Sequence, residues 1–308
     1  MKSKQRSTLT HIWMMTAYNK NLTFPNEPQL NDAVEKCSLE TIVISENISP
    51  IQNYRLTLKT SWFPLSGQEA RYHSAVPFHE ASQTFSWGLE IKDVLSLVWD
   101  AKKREIHYSH GEHYSPERLR FWVLHTFLPL VLELERSYHI VHVGAVEVEG
   151  NPILFSAFSF GGKSTLTDYF LQKGHPLLSD DSLGIEKRDN TYIAIPSYPF
   201  HRPYRELETL GFYTENFSIK PKSVHAVYTL EKAAPDADVN IVELKGIEKF
   251  KAFHYSTFID FDFMKKERFI FFTEMAKHVP VYRINVPWDL ERLDEVYDAI
   301  VEHSRTID

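Results

Sequence analysis

The 308 residues are 43% hydrophobic and 14% aromatic, a globular composition with length for about two domains, which excludes a disordered or fibrous chain. The 34 Lys and Arg stand against 41 Asp and Glu, a net charge of −7. The whole-molecule field therefore repels polyanions and argues against nucleic acid as a partner, while a local cationic pocket for a nucleotide stays allowed.

Cys37 is the one cysteine, so no internal disulfide can form and a reducing cytoplasm is the expected compartment. Met1–Thr10 is basic and polar with no apolar stretch after it, unlike a signal peptide. The longest apolar run, Phe121–Leu134, is interrupted by His125, Thr126 and Pro129 and falls short of the ~20 residues of a membrane span. No membrane association is expected.

The first third reads as β-rich. Thr41–Ser45, Tyr54–Thr60 and Gln83–Ile91 are short β-branched or aromatic segments, and Val94–Trp99 and Glu105–Ser109 flank the polar turn Asp100–Lys103 as a hairpin would. Residues 1–113 are expected to form a small β-rich N-terminal domain. Ser115 then offers an N-cap and Pro116 a first helical residue, and the spacing of Leu119, Trp122, Val123, Phe127, Leu130 and Leu134 predicts a helix to Arg136, kinked at Pro129.

From Tyr138 strands and helices alternate. Tyr138–Val148 and Pro152–Ser156 read as strands, Ser164–Lys173 as a helix ended by Gly174, and Pro176–Asp181 as a strand closing on two carboxylates. Leu183–Lys187, Thr191–Ile195, Val224–Leu230, Val239–Leu244 and Val281–Val286 are further strands, with helices near Ile247–Phe253, Lys266–Lys277 and Asp289–Glu302. Residues 114–308 are expected to form a mixed α/β nucleotide domain.

Three features there carry chemistry. In Leu154–Thr165 an apolar strand enters a small glycine-containing turn and Lys163-Ser164-Thr165 opens a helix. This is the setting of a phosphate-cradling loop, in which backbone N–H groups face the anion, Lys163 reaches the β/γ-phosphates and Ser164 holds Mg²⁺. The pattern G-x-x-x-x-G-K-[ST] is met except that Ala157 holds its first position. The second feature is Asp180-Asp181 at a strand end, suited to orienting metal and nucleophile; adjacent strand residues point to opposite faces, so the two carboxylates have different tasks. The third is His142, in the strand before the loop.

His142, the Gly162-Lys163-Ser164-Thr165 loop, Gly174-His175 and Leu178-Ser179-Asp180-Asp181 together resemble the HPr serine kinase/phosphorylase family, which is related to the P-loop core of phosphoenolpyruvate carboxykinase. The match is close over about Tyr138–Asp189. It implies an HPr kinase/PEP carboxykinase-like P-loop domain with a mixed sheet, ATP and Mg²⁺ as cofactors, and transfer of a phosphoryl group to serine. Ser159, Gly161, Gly162, Lys163, Ser164 and Thr165 would bind nucleotide, Ser164 and Asp181 the metal. Asp180 would be the general base, Asp181 would position metal and nucleophile, and His142 would lie beside the phosphates.

Several positions depart from that pattern. Ala157 and Phe160 stand where the loop carries glycine, Thr165 where HPr kinases carry Glu, and Tyr198–Arg205 replaces their Gly-rich signature. The last of these departures argues against HPr as substrate and against a reversible phosphorylase. The layout most resembles the kinases encoded with lasso-peptide biosynthesis, which implies a peptide or small protein with an acceptor serine as partner; a homo-oligomeric state stays open. The alternatives are a nucleotidyl-transferring enzyme, an HPr-kinase-like enzyme with another acceptor, and a non-catalytic nucleotide-binding scaffold. Arg202, Arg205 and Lys222 are further cations that a kinase site could use, or solvated loop residues.

Overall fold

The computed structural model describes residues 13–25, 39–81, 85–158, 161–203, 206–258 and 261–307; Met1–Thr10, Cys37, Ser159, Phe160 and Arg205 lie outside them. The chain divides into two units, Met1–Tyr114 and Ser115–Asp308, and its strands form several mixed sheets alongside helices.

The first unit is built on a nine-stranded sheet. Leu95–Asp100 and Glu105–His110 pair antiparallel, and Asp100 Oδ1 closes the turn by accepting from the Lys102 and Lys103 N–H groups at 3.0 and 3.1 Å. Thr41–Glu46 lies parallel to the strands on either side of it, Lys20–Phe24 and Glu105–His110. Alternation along Trp87–Ile91 buries Trp87, Leu89 and Ile91 together. The expected Tyr54–Thr60 strand is reduced to Leu58–Lys59. Ahead of it Pro50 starts the short helix Pro50–Asn53 and Arg55 turns left-handed, so Tyr54 is free to donate its hydroxyl to Asp100 Oδ2 at 2.7 Å.

The second unit opens on the helix that Ser115 caps, its hydroxyl accepting from the Arg118 N–H at 3.2 Å. Pro116–Phe121 is α-helical, Trp122–Phe127 is a π turn, and Leu128–Leu134 is α-helical again. The break thus lies before Pro129, where a simple proline kink was expected. Proline lacks an N–H and its ring crowds the carbonyl one turn back; a widened turn, with Leu128 N–H reaching Val123 O, makes room for it.

The central sheet of this unit has six strands: β1 Gly144–Val148, β2 Asn151–Ser156, β3 Leu177–Ser179, β4 Ala226–Ala233, β5 Ile241–Glu243 and β6 Val281–Pro287, in the order β3-β1-β2-β4-β6-β5. β2, β4 and β6 run parallel, and the other pairings are antiparallel. Because side chains alternate along a strand, Ile153 and Phe155 of β2 enter one core with Leu166 and Phe170 of α1 (Lys163–Gln172) and Val296 and Ile300 of the helix Leu293–Ser304. Leu154 enters the opposite core with Phe253, Phe272 and Met275. Burying a side chain such as Phe170 contributes roughly 1.5–3 kcal/mol, so α1 is fixed on the sheet by its Leu166, Phe170 face and its first turn is aimed by that packing.

Two glycines are required by this geometry. Gly162 is left-handed (φ 84°) and forms the N-cap of α1, a conformation L side chains adopt at a cost. At Gly144 a Cβ would overlap Thr167 Oγ1 and come within 3.4 Å of Lys163 Cγ, so its absence lets the first turn of α1 sit directly on β1.

Candidate functional site

β2 ends at Ser156, and beyond it the Gly161 N–H donates to Phe158 O at 2.9 Å. The first N–H groups of α1 lack intrahelical partners and carry the positive end of the helix dipole, the usual means of holding an anion. Ser164 is half-buried and Thr165 exposed at this helix start.

Lys163 is buried, and its Nζ lies 2.9 Å from His142 Nε2. An ammonium only donates, so Nε2 accepts and the imidazole hydrogen belongs on Nδ1. Nδ1 in turn lies 2.7 Å from the Asp181 carbonyl oxygen and 3.0 Å from its Oδ1. Asp181 Oδ2 is 2.7 Å from His125 Nε2 and 3.8 Å from Arg202 Nη1. Lys163, His142, Asp181 and His125 thus form one connected chain. Burial pushes the Asp181 carboxyl up, but His125 and His142 outweigh it and hold the group well below the usual carboxylate range.

His142 does not lie within one long strand Tyr138–Val148, as expected. The chain leaves the sheet after His139–Val141, and His142 sits in the break before β1, its N–H donating to Ser256 O. That break releases the ring toward Lys163.

Asp180 shares Arg202 with Asp181 but otherwise has its own partners, as adjacent residues at a strand end should. Its Oδ2 accepts from the Arg202 N–H at 2.7 Å and lies 3.3 Å from His201 Nδ1. Its Oδ1 is buried with no hydrogen-bond partner among the described residues. His201 Nε2 is 3.0 Å from Asp168 Oδ1 on α1, which ties the loop after Ile195 to the phosphate-loop helix.

Sequence reasoning alone does not single out His125 or Asp168, and it places His201 and Arg202 only as residues following a strand that ends near the site. The signal for His125 was a polar pair, His125-Thr126, inside an otherwise apolar run. The π turn carries that pair, and the His125 ring stacks on Phe121 at 4.6 Å while the Arg202 guanidinium sits over Phe121 at 5.3 Å. Glu208 pins the Arg202 segment to the same helix through Trp122 Nε1 at 2.7 Å and Arg118 at 3.0 Å.

Other residues lie apart from this cluster. His175 follows the far end of α1 and bonds Tyr297 Oη at 3.0 Å and Glu147 O at 3.1 Å, so Gly174-His175 terminates and anchors the helix. Lys222 pairs with Glu147 at 2.6 Å. Among the described residues no group of three or more His, Cys, Asp or Glu is placed to hold a metal ion, and no helix is long and apolar enough to cross a membrane.

The His201 network has a measurable consequence. Burial lowers the affinity of this imidazole for its proton, but Asp180 and Asp168 outweigh that and raise its pKa above the ordinary 6.5. A group whose pKa is raised on folding stabilises the fold below its unfolded pKa, and that contribution is lost as pH rises through the folded value. Thermal melts of the wild type should therefore lose stability as pH rises above about 6.5, and His201→Gln should flatten that slope. An unchanged slope would mean that the pairing does not form in solution.

No protein-family model matches the chain, and no curated protein matches it. Among solved structures it is similar to the Hpr(Ser) kinase/phosphatase from Coxiella burnetii, at 13% sequence identity over 54% of this chain and 95% of that one, with a TM-score of 0.34. The likeness is a weak one, of fold alone.

Proposed function

We propose that this chain is an ATP-dependent serine kinase acting on a peptide or small protein in the cytoplasm. The observation that carries the reading is the buried Asp180 Oδ1, without a hydrogen-bond partner among the described residues, beside the Lys163–His142–Asp181 chain. Phosphoryl transfer needs cations around the transferring group and a base within reach of the attacking hydroxyl.

In this reading Lys163 and the start of α1 hold the β/γ-phosphates, with Gly161, Gly162, Ser164 and Thr165 completing the nucleotide contacts. Asp180 Oδ1 takes the serine proton as the new O–P bond forms and the bond to the β-phosphate oxygen breaks, releasing ADP. Asp181, held by His125 and His142, keeps the second carboxylate ionised and positions Lys163 through His142. Arg202 adds positive charge beside the carboxylate pair.

Mg²⁺ in nucleotide sites is bound by one or two protein oxygens, with phosphates and waters supplying the rest. Ser164 would supply one such oxygen directly, since Asp180 Oδ1 is kept for the proton and both carboxylate oxygens of Asp181 already face imidazoles. When bound, the ion would neutralise charge on the phosphates.

The specific acceptor we infer, from the sequence resemblance, is the C-terminal serine of a lasso-peptide precursor. Incubation with ATP, Mg²⁺ and peptides ending in serine, read by mass spectrometry, should add the mass of one phosphoryl group at that residue. A whole-nucleotide increment would replace the kinase reading with nucleotidyl transfer. Phosphorylation of other serine peptides alone would remove only the lasso-peptide acceptor, and nucleotide binding with no product on any peptide would favour the scaffold.

A further inference from the structure

A cavity of about 250 Å³ opens beside the phosphate loop, lined by Gly162, Thr165, Leu230, Val286, Trp288 and Leu293 among others. We propose that it receives the purine base of the nucleotide, with Trp288 as the surface the base packs against. This inference rests on the phosphate-loop reading of Gly162–Thr165 and adds to it a base-binding site that residue motifs did not reveal.

The topology produces the cavity. Ser156 at the end of β2 is level with Thr229 of β4 and Arg283 of β6. β4 and β6 continue past that level to Ala233 and Pro287, so Leu230 and Val286 rise beside the loop instead of beneath it. The cavity therefore lies at the carboxyl end of β2, against the stretches of β4 and β6 that run past it, near where ligands of open α/β sheets bind. Its floor and walls are aliphatic, and Gly162 and Thr165 belong to both the loop and the cavity. A molecule with phosphates at α1 would place its next bulky group here.

Size and chemistry select the occupant. Drug-sized sites run to roughly 300–1,000 Å³, so about 250 Å³ suits one fused ring system. A base is flat and apolar on its faces, and Trp288 supplies a matching ring. The backbone that carries the ring is fixed: the main-chain N–H of Trp288 donates to Ala233 O at 3.2 Å, and the next residue, Asp289, caps its own turn by accepting from the Glu291 N–H at 3.0 Å. Lys232 Nζ lies 4.1 Å from the ring centroid and covers one face, leaving a base to pack on the other face or along the edge nearest Gly162. That edge is close, because a Cβ at Gly162 would meet Trp288 Cζ3 at 3.5 Å.

Calorimetric titration of the full chain with Mg·ATP and with magnesium tripolyphosphate separates the base from the phosphates. Trp288→Ala should weaken ATP roughly 5- to 100-fold, the range for loss of one base–aromatic stack, and leave tripolyphosphate unchanged; Trp288→Phe should retain most ATP affinity. Trp288 is 42% exposed, so the variant should fold, and a thermal melt checks that it does. ATP and tripolyphosphate weakened alike, neither weakened, or loss of peptide binding with ATP unchanged would each overturn the base site alone. A wild type that binds neither ligand would overturn the phosphate-loop reading, and the base site with it.

Discussion

Asp180→Asn should lower phosphoryl transfer by roughly 10²–10⁴-fold, the usual contribution of a positioned general base, while Mg·ATP still binds. The reason is the division of labour between the two oxygens. Oδ2 is fixed by the Arg202 N–H and faces His201, and an amide oxygen can still accept that bond. Oδ1 is the atom left to accept a proton, and an amide nitrogen in its place cannot. The substitution keeps shape and most contacts, so the melting temperature should stay within a few degrees. Single-turnover transfer to a serine peptide, measured beside ATP titration, separates the outcomes. Transfer at the wild-type rate would mean that Asp180 is not the base, and loss of ATP binding would mean that it holds nucleotide or metal instead.

The second large effect belongs to Lys163→Met, which keeps most of the buried stem and removes the charge. Hydrogen bonds to charged groups contribute about 1.5–3 kcal/mol each, so losing the ammonium should weaken Mg·ATP by roughly 10–100-fold per phosphate contact. His142 loses its partner at the same time, because Lys163 Nζ is what places the imidazole hydrogen on the side facing Asp181. Binding and turnover should both fall, in contrast to Asp180→Asn. Titration showing wild-type affinity would remove Lys163, and with it the loop, from the nucleotide site.

What could be read from the residues alone was whatever lies close together in the chain. The strand, glycine turn and Lys163-Ser164 form one continuous pattern, and Asp180-Asp181 closes a short apolar strand, so both stand out without coordinates. His125 is 56 residues from Asp181, and no spacing rule connects them; its ring looks like an irregularity in a hydrophobic helix until the fold brings the two together. His201 and Arg202 reach Asp180 through a tertiary contact, their segment being held by Glu208 on Trp122 and Arg118 and by His201 on Asp168. Gly174 ends the helix where its residue type predicts, and His175 beside it anchors that end to Tyr297. Trp288 was invisible because the length by which β4 and β6 overrun β2 is a matter of register, which a single sequence does not display.

The π turn at Trp122–Phe127 makes the helix behave unusually toward insertions and deletions. Such a turn holds one residue more than an α turn while the flanking segments keep their phase, so removing Thr126 would leave the apolar stripes on both sides in register. Only His125 would be withdrawn from Asp181. The same deletion returns the Pro129 ring to conflict with the preceding turn, a clash of about 3 kcal/mol or more, unless Pro129 is replaced as well. The extra residue and the proline are therefore a matched pair: each is tolerable because of the other, and together they put a histidine in contact with a carboxylate 56 residues further along the chain.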